Sequence, residues 1–213
     1  MIGGDLATRY PLRMAAGILS KATSIEEWLR SNSAHMPHGE QEVEVILQQL
    51  RKGSVLLTSS CGRVLDAVSA VLSICYERTY EGEPAMRLEA AAANGKDALK
   101  FRPEVKDNVV DTTPLAHQVF ERRNTDATSD LALSAQQYLA EGLAQVAVDE
   151  AKRLGVKVVG FSGGVAYNEH ITYEMRRFVE KNKLCFVVHK SIPAGDGGVS
   201  FGQSVASAWQ MMC

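Results

Sequence analysis

The second half of the chain alternates helical and strand-like patterns of apolar residues. A long helical pattern over 129–154 is followed by short β-branched runs at 156–161 and 184–188, which predict strands. Helical patterns follow these two runs, over 168–181 and from residue 198 onward. Because helices join parallel strands through right-handed crossovers, this alternation predicts a short, mainly parallel sheet.

The first part of the chain is almost entirely helical in its pattern of apolar positions. Pro11 suits the first turn of one helix, and Glu26 and Glu27 suit the first turn of the next. Two short strands, at 98–101 and 108–110, follow the helical part. Helices are predicted over 11–22, after Thr23 or Ser24, over 41–50, 64–72 and 86–93, and after Thr112 or Thr113.

These patterns give the chain two parts that differ in secondary structure. Residues 1–97 are mostly helical, and residues 98–213 form an α/β part. No stretch between them has the composition of a flexible linker, so we expect one compact domain.

Two glycine turns end the two predicted strands of the α/β part. Ser162 to Gly164 follow the first strand, and Gly195 to Gly198, which include Asp196, follow the second. A strand that ends in a glycine turn before a helix leaves backbone N–H groups unpaired, which suits an anion or a nucleotide. Turns at the ends of successive strands suggest one crevice lined from two sides. The alternative is two tight turns with no ligand.

Asp66 is the only carboxylate of the apolar helix predicted over 64–72. A polar junction of small residues, 58–63, leads directly into this helix. The carboxylate could cap the helix, where the helix dipole favours negative charge. It could instead accept a hydrogen bond from a hydroxyl group of a ligand. The spacing alone leaves both interpretations open.

Composition excludes several classes of function. An apolar fraction of 46% over 213 residues is normal for a globular protein, and the formal charge of −2 gives no electrostatic reason to expect nucleic acid or a membrane surface as a partner. No apolar run is long enough to span a membrane, and the first residues do not resemble a signal peptide. His35 and His38 have no acidic or sulfur ligand nearby, so we expect surface histidines. The cysteines lack CxxC spacing and predict reduced thiols in a cytoplasmic protein: Cys61, Cys75, Cys185 and Cys213.

Four segments in order along the chain carry a family resemblance. They are TSSCGRVLDAVSAVL at 58–72, TYEGEPAMRLEA at 79–90, GFSGGVAYN at 160–168 and PAGDGGVSFGQ at 193–203. Together with the opening GGDLATRYPLRMA, they resemble the C-terminal carbamoyltransferase region of the HypF family, which acts in [NiFe]-hydrogenase maturation. The region is similar to the ATPase of tRNA threonylcarbamoyl modification. The resemblance implies one RNase H-like lobe of the actin and sugar-kinase ATPase superfamily, a helix-rich α/β lobe with a mixed, mainly parallel short sheet.

The resemblance also implies site residues and cofactors. ATP or carbamoyl-adenylate would be the nucleotide, and Asp196 would be a ligand of a divalent metal ion. Ser60 is a further candidate for the nucleotide site. The family positions that would bind the nucleotide correspond to Gly62, Asp66, Gly163, Gly164 and Asn168.

Longer family members carry a histidine-rich metal motif and a first ATPase lobe before the region that this sequence matches. The resemblance therefore implies half of a nucleotide crevice and an incomplete metal site with poor affinity. We expect little activity from the chain alone. A separate polypeptide could supply the first lobe, or the chain could form a homodimer; it could also be a relic or a fragment.

Three hypotheses for the function stay open at this point. The first is a part of a HypF-like enzyme that helps to transfer a carbamoyl group to a cysteine of a HypE-like partner. The second is an inactive binding or assembly module with the same fold, and the third is another ATPase of the superfamily. The sequence names no catalytic residue. Cys61 is the only cysteine near a motif, and we expect it to be a small buried residue rather than a nucleophile.

Overall fold

The computed structural model describes residues 1–21, 23–53 and 55–212. The chain divides into two compact units, Met1–Leu139 and Ala140–Cys213. The boundary between the units, after Leu139, falls inside a long helix. It lies 42 residues beyond the boundary after residue 97 that the change in secondary structure indicates in the sequence. The expectation of one compact domain stays a prediction.

The first unit is helical apart from one hairpin, as the sequence predicts. Pro11 does begin a helix, and Glu26 and Glu27 lie in the first turn of another. The helices are α1 (Leu6–Arg9), α2 (Pro11–Leu19), α3 (Glu26–Ser31), α4 (Gly39–Arg51), α5 (Cys61–Val71), α6 (Glu83–Ala92), α7 (Thr113–Arg122) and the first turns of α8 (Thr128–Leu154).

Helices α2 and α5 form the centre of this unit. Each has a nearly continuous run of buried residues, Pro11 to Ala16 with Leu19 in α2 and Val64 to Val71 in α5. Leu12 and Leu65 are among the largest fully buried side chains. Helix α5 also contacts α6 and α7, so it is surrounded by other helices of this unit. This packing fixes the surroundings of Asp66.

The hairpin lies later in the chain than the sequence predicts for its first strand. Strands β1 (Glu104–Lys106) and β2 (Val109–Asp111) pair antiparallel, whereas a strand at 98–101 is wrong. Asp107 and Asn108 form the two-residue turn with φ of 51° and 62°, which is the left-handed conformation that such hairpins favour. Residues 98–101 instead run past α8, where the Ala98 and Leu99 N–H groups donate to Ser134 Oγ.

The second unit confirms the predicted parallel pair of strands. The second half of α8 is followed by β3 (Val158–Phe161), α9 (Glu169–Lys181), β4 (Cys185–Val188) and α10 (Val199–Met212). Strands β3 and β4 are parallel, with Val158 opposite Cys185 and Phe161 opposite Val188. The described residues thus contain one antiparallel and one parallel two-stranded sheet rather than a single mixed sheet. The helix-rich α/β class is confirmed.

Helix α9 packs on one face of the parallel pair. Val159 and Phe186 point to this face and are buried, whereas Val158 and Val187 on the other face are exposed. No residue of α10 is buried. Within 1–21, 23–53 and 55–212, no helix is both long and apolar enough to cross a membrane.

Candidate functional site

The first glycine turn connects β3 to α9 and leaves open space in front of its backbone. Gly163 has φ +100° and ψ 175°, a conformation that is accessible in practice only to glycine. Gly164 begins a short 3₁₀ turn that ends at Tyr167. A Cβ atom added at either glycine would meet no atom within 4 Å. The protein itself therefore gives no steric reason for glycine at position 164.

The second glycine turn lies directly against the first. The Gly163 N–H donates to the Ala194 carbonyl oxygen at 2.8 Å, and Ser162 Oγ donates to the same oxygen at 3.0 Å. The Gly195 N–H donates to Tyr167 Oη at 3.1 Å. These three hydrogen bonds join the two turns at the carboxyl ends of the parallel strands. This is the proximity that the sequence pattern suggests.

Ser162 and His189 form a polar pair between the two strands. Each is the first residue after its strand, and Ser162 Oγ lies 3.0 Å from His189 Nε2. Ser162 has one hydroxyl proton, which it donates to Ala194, so His189 Nε2–H acts as the donor to Ser162 Oγ. Both side chains line an open pocket of about 370 Å³.

Sequence reasoning missed this pair. The available signal was the position of His189 immediately after a predicted strand, where the neighbouring strand ends in Ser162. Residues at the carboxyl ends of parallel strands converge on one edge of the sheet.

Asn168 is the N-cap of α9. Its Oδ1 accepts a hydrogen bond from the Ile171 N–H at 2.8 Å, and the residue is only 6% exposed. Such a cap contributes about 1 kcal/mol to stability. The observed role is therefore structural, and a hydrogen bond from Asn168 to a nucleotide stays a prediction.

Asp196 lies on the exposed surface of the second glycine turn. It begins the 3₁₀ turn Asp196–Gly198, next to the hydrogen-bonded pair of turns. In the parts of the chain that the structure describes, no group of three His, Cys, Asp or Glu residues could hold a metal ion. Asp196 can thus offer one side-chain oxygen site but not a complete metal centre from the described residues.

Gly62 and Asp66 lie together near the start of α5, in the first unit. Ser60 is the N-cap of this helix, and its Oγ accepts from the Arg63 N–H at 3.4 Å. Asp66 is the sixth residue of the helix, beyond its first turn, so the interpretation of Asp66 as a cap is wrong. A Cβ at Gly62 would make only an ordinary contact, 3.7 Å from Ser60 Oγ.

Asp66 is fully buried and forms an ion pair with Arg63. Arg63 Nη2 lies 2.9 Å from Asp66 Oδ2, yet neither carboxylate oxygen has a hydrogen-bond partner of good geometry. Ser69 Oγ, on the following turn of the helix, also lacks a partner. Burial raises the pKa of Asp66 to about 6, although the positive charges of Arg63 and Arg78 oppose this shift. With 0% exposure, the carboxylate reaches a ligand only if neighbouring groups move.

We predict that Asp66→Asn changes how stability depends on pH. A carboxyl group with a pKa of about 6 when folded and 3.8 when unfolded stabilises the fold at low pH, and this contribution is lost as the pH rises through about 6. The difference between these two pKa values corresponds to a free energy of about 3 kcal/mol. Measured by urea unfolding, the free energy of unfolding of Asp66→Asn relative to the native chain should rise by up to that amount between pH 4 and pH 8. Asp5→Asn, at an exposed acid, serves as control, and a difference for Asp66→Asn that is constant with pH would contradict the prediction.

The structure groups the sequence-predicted residues within each unit. In the second unit, Gly163, Gly164 and Asp196 lie on two hydrogen-bonded turns, and Asn168 begins the helix that follows the first turn. In the first unit, Gly62 and Asp66 lie on the first two turns of α5. The class that this fold and these turns define is an α/β lobe with a candidate anion site at the end of a parallel strand pair.

Comparison with known proteins identifies the family. The model of the family described as "Carbamoyltransferase, Kae1-like Domain, second subdomain" matches residues 1–203. The chain therefore belongs to the HypF carbamoyltransferase family as a Kae1-like second subdomain. The resemblance seen in the sequence is confirmed.

Similar proteins are longer than this chain. The probable carbamoyltransferase HypF of Methanocaldococcus jannaschii is 41% identical over 207 residues, which cover 96% of this chain and 27% of that protein. A carbamoyltransferase HypF homolog of Cupriavidus necator is 30% identical over 219 residues, covering 98% of this chain and 55% of that protein. The chain thus spans between about a quarter and about half of these relatives.

Solved structures agree with the fold. The crystal structure of T. kodakarensis HypF matches with a TM-score of 0.88 and 42% identity, covering 100% of this chain and 29% of that one. Full-length HypF in the phosphate- and nucleotide-bound form matches with a TM-score of 0.80 over 97% of this chain and 27% of that one. At 22% identity, the second match supports the fold alone.

Proposed function

We propose that the chain is the C-terminal lobe of a HypF-like carbamoyltransferase that helps to bind ATP or carbamoyl-adenylate. In this proposal a carbamoyl group passes to a cysteine of a HypE-like partner during hydrogenase maturation. The observation that carries the proposal is the pair of hydrogen-bonded glycine turns with open space in front of Gly163 and Gly164.

The turns offer the groups that a phosphate needs. Backbone N–H groups at a glycine turn before a helix bind anions, and side chains do not obstruct the approach to Gly164. The Gly163 N–H already donates to Ala194, so Gly163 contributes open space rather than a donor. Ser162 and His189 add polar groups beside the turn. These features support an assignment of the phosphate position to the β3–α9 turn, with Gly62 and Asp66 as further candidates for the nucleotide site.

The metal assignment depends on the nucleotide. Mg²⁺ usually binds through one or two carboxylates together with phosphate oxygens and water, not through a cage of protein ligands. A single carboxylate such as Asp196 fits this pattern, because Asp196 is exposed on the turn beside the proposed phosphate position. We therefore propose that Asp196 contributes one ligand to a metal ion that the nucleotide helps to hold.

A partner thiol is a better carbamoyl acceptor than the cysteine near the motif. Burial raises the pKa of the Cys61 thiol to about 12, so this thiol stays protonated at neutral pH. The thiolate is the nucleophilic form of cysteine. Cys61 is therefore a poor candidate for the carbamoyl acceptor.

Gly164→Ala is expected to weaken nucleotide binding at least about tenfold, measured by calorimetric titration of the chain with ATP and Mg²⁺. Gly164 has no positive φ, and its added Cβ would meet nothing within 4 Å, so the fold should tolerate alanine. A phosphate held by the turn would lose its close approach to the backbone. Gly17→Ala, in helix α2 of the first unit, where an added Cβ would make only ordinary contacts, is the control and should keep the native affinity.

Two outcomes of this titration would oppose the proposal. Absence of ATP binding by the native chain, alone and with a polypeptide that supplies the first lobe, would contradict it. Equal affinity of Gly164→Ala and Gly17→Ala would place the nucleotide elsewhere. The second candidate function is a non-catalytic docking module. Helix α10, in which every residue is exposed and none is charged, favours this function.

A further inference from the structure

The side chain of Tyr167 connects the two glycine turns. Tyr167 is the last residue of the 3₁₀ turn that begins at Gly164, and its Oη accepts a hydrogen bond from the Gly195 N–H at 3.1 Å. The residue is 57% exposed, so burial in a core does not hold its ring in place. Gly195 directly precedes Asp196. One side chain therefore links the turn proposed to bind phosphate to the carboxylate proposed to bind a metal ion.

The contact with Tyr167 explains the glycine at position 195. Gly195 has an extended backbone with φ −95°, so its own φ does not require glycine. A Cβ atom at this position would lie 2.9 Å from Cε2 of Tyr167 and 3.5 Å from its Oη. Carbon atoms in favourable contact are about 3.5–4.0 Å apart. The Tyr167 ring therefore lies directly against the Gly195 backbone, and a larger residue at 195 would displace it.

The second glycine turn is closed around Asp196. The Gly198 N–H donates to the Gly195 carbonyl oxygen at 2.9 Å, so Asp196 lies inside a hydrogen-bonded turn. A Cβ at Gly198 would overlap the Pro193 carbonyl oxygen, which shows how closely the end of this turn packs on the backbone before it. Because the turn is closed in this way, a contact that fixes Gly195 also fixes Asp196.

The first turn holds the second one at two neighbouring residues. The Ala194 carbonyl oxygen accepts from the Gly163 N–H and from Ser162 Oγ. The Gly195 N–H donates to Tyr167, which lies further along the first turn. With both attachments the direction of the second turn is set, whereas the attachment at Ala194 alone leaves this turn free to rotate about it.

We propose that Tyr167 is a positioning residue that holds Asp196 at a fixed place relative to Gly164. The proposal rests on the proposed function, because Asp196 and Gly164 have these roles only with a bound nucleotide. Mg²⁺ demands near-ideal octahedral geometry, so a carboxylate and phosphate oxygens that share the ion must lie at set positions. Tyr167 therefore acts on the metal-dependent part of nucleotide affinity.

Tyr167→Phe removes the hydroxyl group and keeps the ring. In calorimetric titrations with ATP and Mg²⁺, the affinity should fall about fivefold, the effect of one hydrogen bond. The affinity for ATP without a divalent cation should change by less than about twofold, because the attachment at Ala194 remains. A general loss of structure would lower both affinities. Tyr173→Phe, at an exposed tyrosine of α9, is the matched control and should change neither.

Gly195→Ala tests the same contact from the other turn. In the native background the added Cβ displaces the Tyr167 ring, so the affinity for ATP with Mg²⁺ should fall at least as far as in Tyr167→Phe. In the Tyr167→Ala background the ring is absent, and Gly195→Ala should cause no further loss. Residues in contact show such non-additive effects. Equal losses from Gly195→Ala in the two backgrounds would overturn the proposal.

Amide exchange in the ligand-free chain tests the attachment without a nucleotide. The Gly195 amide proton should exchange with water about fivefold faster in Tyr167→Phe than in the native chain or Tyr173→Phe, because it loses its acceptor. Unchanged exchange, or equal losses of ATP affinity with and without Mg²⁺, would overturn this proposal alone. Absence of ATP binding by the native chain and by its complex with a first-lobe polypeptide would overturn the proposed function as well.

Discussion

Replacement of Glu42 by Gln is expected to lower the free energy of unfolding by about 3–5 kcal/mol. Glu42 and Arg13 form a buried ion pair, with side chains 2% and 5% exposed and Arg13 Nη2 2.6 Å from Glu42 Oε1. Arg13 also donates to the Ile2 carbonyl oxygen at 3.3 Å, and the His38 N–H donates to Glu42 Oε2 at 3.2 Å. The neutral amide would leave the Arg13 charge buried without its counter-charge. Urea denaturation at neutral pH measures the effect.

The same helix supplies the control for this prediction. Glu44 also pairs with an arginine, Arg30, but its side chain is 57% exposed, so Glu44→Gln should cost no more than about 1 kcal/mol. The double variant Arg13→Met with Glu42→Leu should recover much of the stability, because apolar residues of similar volume replace buried ion pairs well. Equal losses for Glu42→Gln and Glu44→Gln would show that burial of the pair has no energetic consequence.

Gly95→Ala is expected to destabilise the first unit by about 3 kcal/mol, at the upper end of the effect of overpacking. Gly95 ends the turn after α6, where its N–H donates to the Ala92 carbonyl oxygen at 2.8 Å. A Cβ at this position would overlap the Ser129 carbonyl group, with its carbon atom at 2.7 Å. The obstacle is backbone at the beginning of α8, so a side-chain rotation cannot relieve the overlap. A thermal unfolding experiment checks the shift in Tm.

Gly17→Ala is the matched control for Gly95→Ala. A Cβ at Gly17, within α2, would meet Ile2 at an ordinary contact distance of 3.5 Å. Alanine also has a higher helix propensity than glycine, so this variant should be neutral or slightly stabilising. If Gly95→Ala and Gly17→Ala have the same Tm, the turn at Gly95 can move away from α8 with little loss of stability, which would contradict the prediction.

Local patterns in the sequence predicted most of the helices and the parallel strands. Helix α9 is an example, because Asn168 supplies an N-cap and the apolar positions recur with a helical period. The two glycine turns were also visible, since each follows a β-branched run. These features depend on neighbouring residues, and short-range spacing records them directly.

Long-range pairs were not visible in the sequence. Arg13 and Glu42 are 29 residues apart, and only the packing of α2 with α4 explains a buried charge on each. The first hairpin strand was misplaced because the turn that decides the register, Asp107 and Asn108, was not recognised, and Asn108 was assigned to the second strand. Ser60, not Asp66, caps α5, and the spacing of apolar residues does not distinguish the two.

The division into compact units was also outside the reach of local patterns. Helix α8 is continuous in its helical period from Thr128 to Leu154, yet the unit boundary falls between Leu139 and Ala140. Secondary structure changes at residue 98, but the hairpin and α7 belong to the unit of the preceding helices. Compactness depends on contacts between distant residues, which periodicity does not contain.

The most direct test of the proposed function is a titration of the isotope-labelled chain with ATP and Mg²⁺, followed by the amide resonances. Saturable shifts are expected at Gly163 and Gly164, together with smaller shifts at Asp196 and Gly197 on the adjacent turn. In Gly164→Ala the same shifts should need at least about tenfold more ATP. Unchanged resonances at these amides at millimolar ATP, or saturable shifts confined to other parts of the chain, would contradict a nucleotide site at the paired glycine turns.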